Sequence, residues 1–161
     1  MATRFVFTPY AAEFPAANFP QLLLVNRRPV LAFDAATDET ARWTAIAPQG
    51  LTGTITVIIS YIMASATSGE VGFQAALEAV TDGDAVDLDA GDSFDTANSS
   101  AFVTVPGTAG YIDQVAITMT NADSIAAGDY FRLSLNRDAN HASDTATGDC
   151  YVLGVELRDA A

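Results

Sequence analysis

Residues 71–80, VGFQAALEAV, place apolar side chains at alternate positions, and this stretch decides the fold. Gln74 and Glu78 interrupt the apolar positions and are expected to face outward. The set expected to face inward is Val71, Phe73, Ala75, Leu77 and Ala79. A period of two is typical of a β-strand with one face on a core, so residues 71–80 are predicted to pair in a sheet.

Seven more strand-length segments lie on either side of this one, separated by turn residues such as Pro48, Gly50, Pro106 and Gly107. They cover residues 30–34, 42–47, 54–64, 101–105, 112–120, 130–136 and 151–158. Eight such segments without a helix longer than one turn indicate a sandwich or barrel. We predict an all-β protein, an eight-stranded antiparallel jelly-roll sandwich over residues 30–161, preceded by an extended N-terminal arm at residues 1–29.

The arm differs in composition, because residues 1–29 hold four of the nine phenylalanines and four of the six prolines. Proline denies hydrogen-bond donors to a central strand, so the arm is expected to be extended. Two placements stay open: the arm covers an edge of its own sandwich, or it packs on a neighbouring subunit. The residues expected in such an interface are Phe5, Phe7, Tyr10, Phe14, Phe19, Arg27 and Arg28.

The charge is strongly negative, −13 overall, and all seven basic residues are arginine. Phosphate-binding proteins need the opposite balance, so nucleic acid is not an expected partner. Residues 1–33 hold three arginines against one glutamate, whereas residues 34–161 hold four arginines against nineteen acids, a net charge of −15. We therefore expect a solvated acidic body and an N-terminal segment of different character.

Neither a membrane nor a disulfide is expected. No apolar run approaches the roughly 18 residues of a membrane helix, and the N-terminus lacks the apolar segment of a signal peptide. Cys150 is the single cysteine, so an intrachain disulfide is excluded, which fits synthesis in a reducing cytoplasm. Its expected role is that of a small buried side chain.

The acidic segment 81–98 is the densest group of candidate metal ligands, with six aspartates. Spaced carboxylates suit calcium, but the spacing of an EF-hand loop is absent. A solvated loop is therefore the main interpretation, and a bound cation is the alternative.

Two single residues could also carry chemistry. His141 is the only histidine, and no nucleophile elbow accompanies it, so neither a catalytic triad nor a histidine metal site is expected. Trp43 alternates with Arg42 and Thr44, which predicts core packing, with sugar stacking as the alternative. We therefore expect a protein that is not an enzyme and has no cofactor.

The C-terminal third carries a distinctive order of motifs. Residues 124–133 read SIAAGDYFRL, residues 136–140 read NRDAN, residues 144–149 read DTATGD and residues 152–157 read VLGVEL. This order resembles the last two strands of small jelly-roll virion proteins of tailed bacteriophages, which occur as capsid decoration proteins and as fibre or spike domains. Apart from the resemblance, Gly128 suits a positive φ before the next strand, and Arg137 could bridge the aspartates of the following loops.

The resemblance implies a non-enzymatic virion structural protein, a capsid decoration (cement) protein that stabilises the head by contacts across capsomers. The partners that it implies are the major capsid protein and further copies of this chain in a homo-oligomer, either a dimer or a trimer. The location that it implies is the outer surface of the capsid, after synthesis in the host cytoplasm. The alternative is a receptor-binding fibre or spike domain that recognises a surface glycan.

Overall fold

The computed structural model describes residues 1–160, and within them it has twelve strands and one 3₁₀ turn at Pro9–Ala11. The strands are β1 (Ala2–Phe7), β2 (Gln21–Val25), β3 (Arg28–Phe33), β4 (Thr40–Ile46), β5 (Ile55–Met63), β6 (Glu70–Val71), β7 (Phe73–Val80), β8 (Asn98–Ser99), β9 (Val103–Thr104), β10 (Asp113–Met119), β11 (Tyr130–Arg137) and β12 (Cys150–Asp159). In the part of the chain described, no helix has the length and apolarity to cross a membrane.

The strands form two large antiparallel sheets that pack face to face. The six-stranded sheet has the order β10-β5-β12-β3-β2, and β1 joins it by pairing with β12. The four-stranded sheet has the order β4-β11-β7-β8, and a small third sheet pairs β6 with β9. The predicted all-β jelly-roll sandwich is confirmed, and each of the eight predicted segments contains a strand. The sequence did not predict β1, β2 or β8.

The core fills the space between the inner faces of the two large sheets. Phe33 of β3 meets Phe73 of β7 edge-on, with ring centroids 6.2 Å apart. Trp43 of β4 is buried, and its Nε1 donates to the main-chain oxygen of Thr8 at 3.0 Å, so its one polar atom is satisfied. The predicted core position of Trp43 is therefore confirmed, as is the buried position of Cys150.

The N-terminal segment is extended, and its first strand covers an edge of the same sandwich. Strand β1 pairs with the second half of β12, where Phe7 lies opposite Val155. Phe7 is only 5% exposed, and its ring stacks on Phe5 at 5.5 Å. Arg4 Nε donates to Asp159 at 2.8 Å and lowers the pKa of that carboxyl from its ordinary value.

This pairing explains the position of the N-terminal aromatic residues. Phe5 and Phe7 are two positions apart and therefore share one face of β1. Pro9, Pro15 and Pro20 lie between strands and interrupt none of them. Residue 29, where the predicted arm ends, lies within β3. Strand β2, which precedes this residue, pairs with β3 in the six-stranded sheet.

Arg137, the last residue of β11, is fully buried and closes one end of the sandwich. Its Nε and Nη2 donate to the two carboxylate oxygens of Asp144 at 2.9 and 2.7 Å. The remaining N–H groups donate to main-chain oxygens of Ala146 and Gly148, both at 2.9 Å, and of Asp34 at 3.3 Å. All five donors of the guanidinium group are thus satisfied, which lets a charge remain in the interior.

Asp144→Ala should lower the free energy of unfolding by about 3–5 kcal/mol, because it leaves the buried Arg137 charge without its counterion. Urea unfolding monitored by circular dichroism measures the change. Asp82→Ala, at an exposed aspartate, is the matched control and should change it by less than about 0.5 kcal/mol. Equal stability of the two variants would show that the pair is dispensable.

Phe7→Ala should cost about 3–5 kcal/mol of unfolding free energy, because a buried ring is replaced by a cavity. Tyr10→Ala serves as the control, since Tyr10 is 65% exposed and should have little effect. The same urea titration compares the two variants. A stable Phe7→Ala protein would mean that β1 is separable from the sandwich.

Candidate functional site

The outer face of the four-stranded sheet carries a continuous set of uncharged polar side chains. The pairing register places Thr40 beside Asn136, Asn136 beside Gln74, and Gln74 beside Ser99, so one row crosses all four strands. Ser134 lies next to this row on β11. We name as the polar strip the residues Thr40, Gln74, Ser99, Ser134 and Asn136.

Most of the polar strip has free hydrogen-bonding capacity. Gln74 Nε2 donates to Asp138 at 3.0 Å. The other four side chains make no hydrogen bond within residues 1–160, although three of them (Thr40, Ser134 and Asn136) are partly buried. Hydroxyl and amide groups both donate and accept, so the strip can bind a ligand that also does both.

One end of the polar strip is bounded by an arginine wall, which consists of Arg42, Arg132, Asp92 and Phe94. Asp92 accepts from Arg42 Nη1 and from Arg132 Nη1, both at 2.6 Å. The two guanidinium carbons lie 5.0 and 5.4 Å from the centroid of the Phe94 ring, which is cation–π geometry. The hydrogen bond from Arg132 and the charge of Arg42 lower the pKa of the Asp92 carboxyl from its ordinary value.

Glu78 attaches the loop that carries Asp92 and Phe94 to the sheet. Its Oε1 accepts from Ser93 N at 2.7 Å and from Ser93 Oγ at 2.9 Å, while Oε2 accepts from Arg132 at 3.3 Å. Glu78 is therefore only 1% exposed. It points to the outer face as predicted, and it is buried there because the loop after β7 folds back over it.

An exposed aromatic pair, Phe14 and Phe19, lies beside the β4 edge of the same sheet. The two rings have centroids 5.5 Å apart and are 40% and 42% exposed. The connecting segment is attached to β4, because Thr40 N donates to Asn18 O at 2.8 Å and Arg42 N donates to Glu13 O at 2.9 Å. The aromatic pair therefore lies beside the polar strip.

The structure divides the seven residues predicted for an N-terminal interface. Phe5 and Phe7 pack within their own subunit, where they are not available to a neighbour. The others are exposed, or largely so, and their part in an interface stays a prediction: Tyr10, Phe14, Phe19, Arg27 and Arg28.

The remaining chemical candidates are not brought together. His141 is exposed in a loop, stacks on Phe102 with centroids 4.6 Å apart, and accepts a hydrogen bond from Ser143 N at its Nδ1. Burial raises the pKa of the Cys150 thiol far above its ordinary value. Within residues 1–160, the acidic segment included, no group of three or more His, Cys, Asp or Glu side chains is arranged to hold a metal ion.

Asp92→Asn should weaken the attachment of the loop and lower unfolding stability by at most about 1 kcal/mol, because the pair is partly solvated. Because the folded-state pKa of Asp92 is lowered, its carboxylate stabilises the fold at pH values above the unfolded-state pKa near 3.8. This contribution is lost as the pH falls through the lower folded-state value. The difference in unfolding free energy between the unmodified protein and Asp92→Asn, measured by urea titration, should therefore disappear in acid. A difference that stays constant at all pH values would contradict this prediction.

Comparisons with known proteins bear on the fold. Neither a protein-family model nor a curated protein matches this sequence. Among solved structures, the CBM35 from Cellvibrio japonicus Abf62 is similar with a TM-score of 0.55 at 8% identity, over 98% of this chain and 94% of the other. A carbohydrate-binding module specific for non-crystalline cellulose, CBM28, is similar with a TM-score of 0.51 at 10% identity, over 93% and 89%.

At such low identity these similarities show the fold alone, a jelly-roll β-sandwich shared with carbohydrate-binding modules. Neither of these two neighbours is a virion protein. The expected capsid partner and the location on a phage head therefore stay predictions.

Proposed function

We propose that this chain is a non-catalytic glycan-binding domain, and that the polar strip contacts a neutral sugar chain. The observation that carries the proposal is the row of side chains in register across four strands, most of them without a hydrogen-bond partner in the described chain. The proposal retains the glycan recognition of the fibre-domain alternative and needs no virion.

The strip has suitable chemistry and length. Sugar hydroxyls donate and accept, as the hydroxyl and amide groups of the strip do. Neighbouring strands are about 4.8 Å apart, so the row from Thr40 to Ser99 spans three spacings, or about 14 Å. This length accommodates more than one pyranose ring along the face.

The aromatic pair adds an apolar surface. Phe14 and Phe19 present large ring faces at the edge of the strip, and ligand sites usually combine such surfaces with a few placed polar groups. A sugar ring has one less polar face, which can pack on an aromatic ring while its hydroxyls reach the strip.

The charges favour a neutral ligand. Arg42 and Arg132 already contact Asp92, and Arg132 also contacts Glu13 and Glu78. Within residues 1–160, no free positive charge therefore faces the strip, and the net charge of −13 repels acidic polysaccharides. The fold likeness to CBM35 and to CBM28, a carbohydrate-binding module specific for non-crystalline cellulose, supports a carbohydrate ligand by analogy.

Screening with neutral and acidic oligosaccharides, followed by calorimetric titration, tests the proposal. The protein should bind a neutral member of the panel. The double variant Gln74→Ala/Asn136→Ala should weaken that binding about tenfold or more, because each lost hydrogen bond is worth about 1 kcal/mol.

The matched control is Gln114→Ala/Thr118→Ala, at exposed residues on the outer face of the other large sheet, and it should leave the affinity unchanged. Failure to bind any neutral glycan, or equal affinity of the two double variants, would rule out the strip as the site.

A further inference from the structure

Two arginines of this acidic chain have no counterion within residues 1–160. Arg27 and Arg28 are exposed at the tight turn between β2 and β3, where Asn26 and Arg27 have φ values of 45° and 67°. The other five arginines all form ion pairs in the described chain: Arg4, Arg42, Arg132, Arg137 and Arg158. The turn is therefore an isolated positive site on a negative molecule.

This positive turn borders an apolar groove on the outer face of the six-stranded sheet. The groove has a volume of about 400 Å³, and Arg28 forms part of its rim. Its apolar lining comes from four parts of the chain and consists of Val25, Val30, Ile62, Ile112 and Leu153. Ile112 is 66% exposed, so the groove combines an accessible apolar floor with adjacent positive charge.

The acidic loop has the opposite combination of charge and apolar side chains. Residues 84–89 read DAVDLD, in which exposed apolar residues alternate with aspartates. Val86 is 38% exposed and Leu88 is 51% exposed, and every residue from 81 to 93 is exposed. The loop connects β7 to β8 of the four-stranded sheet, so it lies on the opposite side of the sandwich from the groove.

We propose that these two surfaces join copies of this chain head to tail. Val86 and Leu88 of one copy enter the apolar groove of the next, and Asp87 and Asp89 approach Arg27 and Arg28. Because the complementary surfaces lie on opposite sheets, one molecule cannot satisfy both by itself. The occupant of the groove is therefore the loop of a second copy.

The contact is heterologous, since each copy uses two different patches, and it leads to rings or open chains rather than to closed dimers. It is also small, two apolar side chains and two charge pairs, which indicates weak and concentration-dependent association. Such an array would place several polar strips along one assembly and raise the avidity for a polymeric glycan. The association itself does not depend on the proposed glycan binding.

Sedimentation velocity over a range of concentrations, up to millimolar, tests the proposal. The unmodified protein should form dimers and higher species as the concentration rises. Arg27→Glu/Arg28→Glu should lower the association constant at least tenfold, and Asp87→Arg/Asp89→Arg should do the same from the other side. All four residues are exposed, so both variants should fold, which circular dichroism checks.

Mixing the two variants gives the decisive measurement. Each retains one unmodified surface, and the two altered surfaces again have opposite charges, so the mixture should associate although each variant alone does not. The control Arg27→Glu/Arg28→Glu should bind a short oligosaccharide, which reaches only one polar strip, with the affinity of the unmodified protein, because the strip lies on the other sheet. A monomer at millimolar concentration, unimpaired association of either variant, or association lost only with Phe14→Ala/Phe19→Ala would overturn the proposal.

Discussion

Arg137 holds a positive charge inside the sandwich, and the arrangement of one whole end depends on how that charge is satisfied. Its two hydrogen bonds to Asp144 and its hydrogen bonds to three main-chain oxygens connect the end of β11, the loop that follows and the end of β3. Gly148 allows this loop to pass close to Ser65, since the φ of Gly148 is 124° and a Cβ there would lie 2.5 Å from Ser65 Oγ. The loop then delivers β12 between β3 and β5, where the six-stranded sheet is completed.

A scaffold fixed in this way leaves the outer face of the four-stranded sheet free for recognition. Strand β11 lies between β4 and β7 in that sheet, so its anchoring through Arg137 also positions the polar strip. The arginine wall adds a second fixed boundary, because Glu78 and Asp92 hold the loop against the sheet. The strip is thus presented by regular strands, whose geometry is more precise than that of mobile loops.

The alternation of apolar residues predicts the sandwich, since Phe73 and Leu77 lie in the core as their spacing indicates. The position of Phe7 was left open, because a short segment among prolines has no period that shows which strand edge it will cover. The outward direction of Glu78 was predicted but its burial was not, since a strand pattern contains no information about a loop that returns over it. The polar strip could be predicted only in part: alternation on β11 shows that Ser134 faces outward, but its neighbours depend on the register between distant strands, which local sequence does not determine.

The pairing of β1 with β12 has a consequence for the connectivity of the chain. Ala2 lies opposite Asp159 in that antiparallel pair, and such partners have Cα atoms only about 4.5–5.5 Å apart. A short linker could therefore join the two ends, and new ends could be opened in the exposed loop after β7 without breaking a sheet. The architecture is accordingly compatible with circular permutation and with insertion of the domain into a surface loop of another protein.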